Sequence, residues 1–354
     1  MIAIEEILGG AAQHNASDVH ITVGVPPKMR VNGALIDMNY PVLMPDDAEN
    51  IIMSFLDKHH KAIYDEKGET DFSISVPGIG RYRVNVFKQR GSMAAALRIV
   101  GTQIPNPDQL GVPKAVQDLH TRKRGLVLVT GPTGSGKSTT LASVINLVNE
   151  NTNSHIITLE DPIEYMHKHL RSMINQREVG ADTQSYNNAL RAALREDPDV
   201  ILVGEMRDFE TISIAVTAAE TGHLVFSTLH TIGAAATIDR IIDVFPTNQQ
   251  AQIRVQLSMV LEAVISQQLL PTADKRRRIA AFEVMITNPA IKNLIREGKT
   301  HQIQSMIQTN RKLGMKTMDD DLYDLYRRGE ITGEVCASYA QDVVNMDRRL
   351  RGLL

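Results

Sequence analysis

Residues 125–140, GLVLVTGPTGSGKSTT, constrain the fold of this chain more than any other stretch. An apolar run at 126–129 leads into Gly131-Pro132-Thr133-Gly134-Ser135-Gly136-Lys137-Ser138-Thr139, and helix-compatible residues follow at 141–148. This is the G-x-x-x-x-G-K-[ST] spacing of a phosphate-binding loop in the strand–loop–helix context the loop requires. Glycine lets consecutive backbone N–H groups turn inward around phosphate oxygens, where a Cβ would obstruct them. The helix N-terminus adds its dipole and its unpaired donors. Lys137 is placed to reach the β- and γ-phosphates, and the Ser138 hydroxyl to ligate Mg²⁺. The stretch predicts binding of a nucleoside triphosphate, with residues 131–139 in contact with it.

Apolar strands are predicted at 155–159, 200–203 and 224–227, with helices near 184–196 and 209–220 between them. That alternation predicts an α/β domain whose parallel sheet is covered on both faces. Beyond Ile232 the pattern is mainly helical, with one strand at 278–286. Ligands of such sheets sit at the carboxyl ends of the strands. Glu160-Asp161-Pro162-Ile163-Glu164 and Gly204-Glu205-Met206-Arg207-Asp208 follow two of those ends, so their acids should face the nucleotide. Glu205 falls where a general base would polarise the attacking water. Gly204 stands where an Asp of the Mg²⁺ shell is commonly expected, so the source of that shell is open. His223 precedes the strand at 224–227 and His230 follows it, so the two need not share one site. Each is either a structural histidine or a sensor of the γ-phosphate, in its own subunit or the next.

Residues 1–100 read as a smaller α+β domain. Ile4, Ile7, Leu8, Ala11 and Ala12 share a helical face, a strand is expected at 19–23, and a hairpin at 29–36 turns at Asn32-Gly33. A helix opens at Pro45 and runs to about Leu56, and strands follow at 71–76, 81–87 and 94–99. Arg81, Arg83, Arg90 and Arg98 cluster on these late strands. The Pro-containing stretch 101–107 reads as a semi-rigid connector, which places a linker at 101–113, a helix at 110–119 and the second domain at 114–354. With 354 residues the chain is long enough for two cores.

A net charge of −3 and 4% aromatic residues without Trp speak against a nucleic-acid partner. The basic runs at 275–278 and 348–351 are short and read as solvated loop and tail. One cysteine, Cys336, excludes an internal disulfide and a Cys-based zinc cluster, and suits a reducing cytoplasm. The first residues lack the features of a signal peptide. No apolar run approaches the ~18 residues of a membrane span. A cytoplasmic protein, able to dock on a membrane complex, is expected.

Four blocks together, GPTGSGKST (131–139), ITLEDPIE (157–164), DPDVILVGEMRD (197–208) and TGHLVFSTLHT (221–231), resemble the secretion-ATPase superfamily of hexameric motors. The likeness extends to Ala16-Ser-Asp-Val-His-Ile21 and covers nearly the whole chain. Within that superfamily the chain resembles the retraction ATPases of type IV pili. It starts directly with the smaller domain, lacks a tetracysteine zinc site, and carries Ala290-Ile-Lys-Asn-Leu-Ile-Arg-Glu297, with Lys292 where that element has an Arg. The resemblance implies a RecA-like ATPase domain preceded by a PAS-like domain, six chains in a ring, and ATP and Mg²⁺ between subunits. It implies that Arg81, Arg83 and Arg98 reach the γ-phosphate. It assigns Glu160 and Glu164 to an acidic box, Glu205 to catalysis, and His223 and His230 to a His box. The implied partner is a pilus platform protein at the inner membrane, with peripheral docking there. A hexameric DNA translocase or helicase, or a nucleotide-gated scaffold without turnover, are the alternative readings.

Overall fold

The computed structural model describes residues 2–31, 33–101 and 103–353. The chain divides into two units, Met1–Gln103 with Pro162–Met166, and Ile104–Asp161 with His167–Leu354. Each has a hydrophobic core of its own.

In the first unit, helix α1 (Ile4–Gln13) buries Ile4, Ile7, Leu8 and Ala11, as the helical spacing predicts. Strands β1 (Asp18–Ile21), β2 (Lys28–Val31) and β3 (Ala34–Asp37) follow, then helices α2 (Pro45–Met53) and α3 (Lys58–Lys67). Strands β4 (Glu69–Val76), β5 (Gly80–Gln89) and β6 (Ser92–Ile99) complete an antiparallel sheet of order β3-β2-β1-β6-β5-β4. The β2–β3 hairpin forms; Asn32 at its predicted turn lies outside the described residues. Alternation sends Val19, Tyr82, Val84, Val86 and Leu97 into the core. It sends Arg81, Arg83 and Arg98 to the opposite face. Helix α3 escapes sequence reading because it buries no residue. Its ends define it instead: the Asp57 carboxylate accepts from the His60 N–H, and Gly68 closes it at φ 81°.

The second unit opens with α4 (Lys114–Gln117) and a 3₁₀ turn at Asp118–Thr121, where one helix over 110–119 was expected. Proline disfavours helical backbone at the residue before it, so Pro113 keeps Val112 out of a helix. There follow β7 (Gly125–Thr130), α5 (Lys137–Asn151), β8 (His155–Glu160), β9 (Met173–Glu178), α6 (Tyr186–Ala193), β10 (Val200–Val203), α7 (Phe209–Glu220) and β11 (Leu224–Leu229). Next come α8 (Ala234–Asp243), α9 (Thr247–Val260), β12 (Leu261–Pro271), β13 (Arg278–Ile286) and α10 (Pro289–Arg296). The last helices are α11 (Ile303–Thr309), α12 (Met318–Arg327), α13 (Gly333–Tyr339) and α14 (Val343–Leu350). The sheet runs β13-β12-β7-β11-β10-β8-β9, parallel from β12 to β9, with β13 antiparallel at the edge. Every residue of β7, β10 and β11 is buried. Each such Val, Leu or Ile contributes roughly 1.5–3 kcal/mol.

Two strands correct the mainly helical reading of 232–277 and the gap after 159. β12 is an eleven-residue strand. Its apolar start suits helix or strand equally, and pairing on both sides, with β7 and β13, decides for the strand. β9 is a polar edge strand that only its ladder with β8 defines. Among the described residues no helix is long and apolar enough to cross a membrane.

Candidate nucleotide-binding site

The phosphate loop spans the gap between β7 and α5. Gly131 has φ 141°, and a Cβ there would run into the Gln267 carbonyl oxygen and lie 2.8 Å from Ser135 Oγ. Gly136 caps α5 at φ 87°, a conformation that disfavours side chains. Lys137 is only 8% exposed, and its Nζ donates to the carbonyls of Gly131 at 2.8 Å and Pro132 at 3.0 Å. That bend aims the ammonium back across the loop. Thr133, Gly134 and Ser138 are exposed, while Ser135 is buried, and among the described residues Ser135 Oγ has no hydrogen-bond partner. A cradle that Cβ atoms would fill, a folded-back ammonium and the backbone N–H groups of a helix N-terminus fit a polyphosphate. Mg²⁺ fits the exposed Ser138 hydroxyl at the same helix start; among the described residues no group of three or more His, Cys, Asp or Glu could hold an ion.

Glu205 leaves the end of β10, next to β11 in the sheet. Its side chain is 17% exposed, and its Oε1 takes both partners, Arg207 Nε at 2.5 Å and His230 Nε2 at 2.9 Å. His230 leaves the end of β11, and its Nδ1 stands 3.4 Å from Thr133 Oγ1 in the phosphate loop. A side-chain path thus joins the loop to the carboxylate through one imidazole. Burial pushes the Glu205 carboxyl up, but Arg207 and His230 outweigh it and hold the group below its ordinary range. Ser227 Oγ donates to Val203 O at 2.7 Å and Thr228 Oγ1 to Gly204 O at 2.6 Å, which pins the strand end that carries Glu205.

The absence of an Asp at Gly204 has a steric cause. A Cβ on Gly204 would lie 2.8 Å from the Tyr186 hydroxyl and 3.1 Å from Leu159 O. Sequence reasoning missed Tyr186. Its phenol is held protonated by burial and by Asp161, Glu205 and Glu160 around it. Glu160 Oε1 accepts from Thr158 Oγ1 at 2.6 Å and from Gln176 Nε2 at 3.0 Å, so it too stands at the carboxyl end of the sheet.

One cavity lies at Glu205 and another beside the loop. The first, about 330 Å³, is lined by Glu205, Arg207, His230 and Arg240. The other, about 320 Å³, lies beside Gly136, Thr139, Thr140 and Gln267, with Arg277 and Arg278 at its side. The basic run at 275–278 therefore borders the loop in part, which its sequence surroundings did not signal. Both volumes fall in the range of small-molecule sites, about 300–1,000 Å³.

The other candidates fall on other elements of the chain. Leu224 pairs with Gly125 and Leu229 with Thr130, so His223 and His230 sit at opposite ends of β11, roughly 20 Å apart. His223 Nδ1 lies 2.9 Å from Ala218 O; within one chain it does not reach the loop. Glu164 is exposed, and its segment belongs to the first unit, where Gly101 N donates to Glu164 O at 3.2 Å. Arg81, Arg83 and Arg98 also belong to the first unit. Arg83 directly faces Arg98 across β5 and β6. Arg98 Nε holds Asp18 Oδ1 at 2.8 Å, and Arg81 Nη1 donates to Ser75 Oγ at 3.4 Å. In α10, Ile291 and Ile295 are buried, the Asn288 side chain caps the start, and Asn293 and Arg296 are exposed.

A strand–phosphate loop–helix unit in a parallel sheet, with a carboxylate at the neighbouring strand end, defines a P-loop nucleotide-binding protein. The sequence pattern of the type II/IV secretion system proteins matches residues 1–336, and the chain belongs to that family. It is 50% identical over 320 residues to the twitching motility protein of Neisseria gonorrhoeae, covering 90% of this chain and 86% of that one. It is 48% identical over 331 residues to the type IV pilus retractation ATPase PilT of Pseudomonas aeruginosa, covering 94% and 96%. The crystal structure of the pilus retraction motor PilT with bound ADP superposes with a TM-score of 0.92 at 51% identity, covering 98% of this chain and all of that one. The resemblance to retraction ATPases read from the motifs holds over whole chains.

Proposed function

We propose that this chain is a Mg²⁺-dependent ATPase that drives retraction of type IV pili as a ring of six copies. The observation that carries the catalytic part is the Thr133–His230–Glu205 path from phosphate loop to carboxylate. Residues 131–139 hold the triphosphate, with Lys137 on the β- and γ-phosphates. Mg²⁺, held by Ser138, supplies charge neutralisation at the phosphates. Among the described residues both partners of Glu205 lie on Oε1, which leaves Oε2 to accept a proton from the attacking water. His230, touching Thr133, reports the γ-phosphate to that carboxylate, and Glu160 supports the acidic side.

Arg81, Arg83 and Arg98 act on the γ-phosphate of a bound nucleotide from the first unit, with Glu164 on the same side. His223 serves a neighbouring subunit. The antiparallel sheet supports a PAS-like assignment for residues 1–100, followed by a linker at 101–113 and a RecA-like ATPase domain at 114–354. Retraction rests on the named activities of the relatives, the Pseudomonas retractation ATPase and the Neisseria twitching motility protein. A cytoplasmic location, docked on an inner-membrane pilus platform, follows from that role.

The test is phosphate release and twitching with two variants. Lys137→Ala should lose nucleotide binding or turnover. Glu205→Gln should keep binding while turnover falls about 10²–10⁴-fold. Comparable turnover by Glu205→Gln and the parent removes the assignment, and normal twitching with either variant removes the motor.

A further inference from the structure

Gln267 sits on β12 one residue past Ser266, the partner of Thr130 at the end of β7. It is 3% exposed, and it meets the phosphate loop at both ends. Its carbonyl oxygen occupies the space that a Cβ on Gly131 would need. Its Nε2 stands 2.9 Å from where a Cβ on Gly136 would lie. Its Oε1 accepts a 2.8 Å hydrogen bond from Thr140 Oγ1, in the first turn of α5.

The Thr140 bond decides which end of the carboxamide faces the helix, and so which end faces the cavity. Oε1 is committed to Thr140, which turns Nε2 toward the phosphate loop beside Gly136. The residue lines the 320 Å³ cavity together with Gly136, Thr139 and Arg278. A carboxamide N–H beside the loop, on a residue that lines this cavity, can donate to an acceptor bound there. The acceptor's chemistry follows from the order of the loop. Lys137 and Ser138 serve the β- and γ-phosphates and Mg²⁺. A ligand continuing past Thr139 presents its α-phosphate, then its nucleoside, to the side where Gln267 waits.

We propose that Gln267 contacts the nucleotide: its Nε2 donates to an α-phosphate oxygen, and Thr140 locks the carboxamide in that orientation. This rests on the reading of the loop as a nucleotide site and adds a recognition group from a second strand, outside the phosphate-loop motif. It also explains why the loop tolerates no Cβ at Gly131 or Gly136, since β12 packs against both.

The experiment measures affinity for labelled ADP, and thermal melting without nucleotide, on the full-length chain. Gln267→Met keeps the volume and removes the donor; it should weaken ADP roughly ten- to hundredfold, the loss of one hydrogen bond to a charged group. Gln267→Glu keeps an acceptor for Thr140 and turns an anionic oxygen toward the phosphate, so it should weaken ADP more than Gln267→Met. Thr140→Val removes only the orienting bond and should cost less affinity than either. Melting of Gln267→Met without nucleotide should stay near that of the parent. Parent-like affinity in Gln267→Met overturns the proposal. Equal losses of affinity and melting temperature in Gln267→Met and Thr140→Val also overturn it, by making Gln267 a scaffold only. If Gln267→Glu does not fold, Gln267→Met decides. Lys137→Ala is the control: if that variant binds ADP like the parent, the nucleotide reading itself falls.

Discussion

At Glu205, burial and charge pull in opposite directions, and the charges win. Burial raises the carboxyl, while Arg207 and His230 lower it further than burial raises it. The group is therefore ionised, and able to accept a proton, down to a pH below the ordinary carboxylate range. Removing Arg207 takes away a lowering partner and leaves burial in place, so the pKa must rise. The acidic limb of the phosphate-release pH profile should then move to higher pH in Arg207→Gln, with the plateau measured alongside. An unmoved limb would detach Glu205 from that limb. Gly204 makes a second residue-scale case. Gly204→Ala pushes a methyl against the Tyr186 hydroxyl and Leu159 O. It should cost about 1–3 kcal/mol, the usual range for overpacking, read as a lower melting temperature. Tyr186→Ala in the same chain should restore part of that loss. Full stability of Gly204→Ala would show that the strand end is not close-packed. The motif told where Glu205 stands and that Gly204 is unusual. It could not tell why, because Tyr186 approaches from a helix that begins 18 residues earlier.

Among the elements, α10 separates folding from function most cleanly. Ile291 and Ile295 are fully buried, whereas Asn293 and Arg296 face solvent. Ile291→Ala should destabilise by about 2–5 kcal/mol through the cavity it leaves, lowering melting temperature and phosphate release together. Arg296→Ala removes an exposed charge and should spare both, while abolishing pilus retraction in cells. Normal twitching in Arg296→Ala, or loss of all three readouts at once, would show that the exposed face of α10 has no role of its own in retraction. The apolar spacing of α10 was plain in the sequence, as were α1 and the buried strands β7, β10 and β11. Elements without such a stripe were not. α3 buries nothing, and β9 exists only through its ladder with β8.

At the scale of the whole molecule, the residues assigned to catalysis fall in two units of the chain. Glu205, His230 and the phosphate loop belong to the second, and Arg81, Arg83 and Arg98 to the first. If the arginines act on a neighbouring subunit's nucleotide, Arg83→Ala and Glu205→Gln chains damage different halves of a composite site. Each variant alone should release phosphate slowly, and a mixture of the two should exceed the average of both. A mixture no faster than that average would place each active site within one chain. Mass in solution, measured with and without ATP, should show six copies; a monomer with full turnover would remove the ring.

The amino-acid sequence by itself determined the phosphate loop, the parallel α/β rhythm around it, the two-core length and the likeness to the retraction ATPases. Those features are local in the chain: a motif of fixed spacing, a period, a block of adjacent residues. Tertiary structure alone decided that 261–271 is a strand, because the same apolar start suits a helix until β7 and β13 pair with it. It decided that His230 meets Glu205 while its companion His223 lies at the far end of β11. It decided that Gln267 and Tyr186 stand against the loop and the strand end. Those side chains come from strands and helices far apart in sequence, and only the register of the sheet brings their atoms within hydrogen-bond reach.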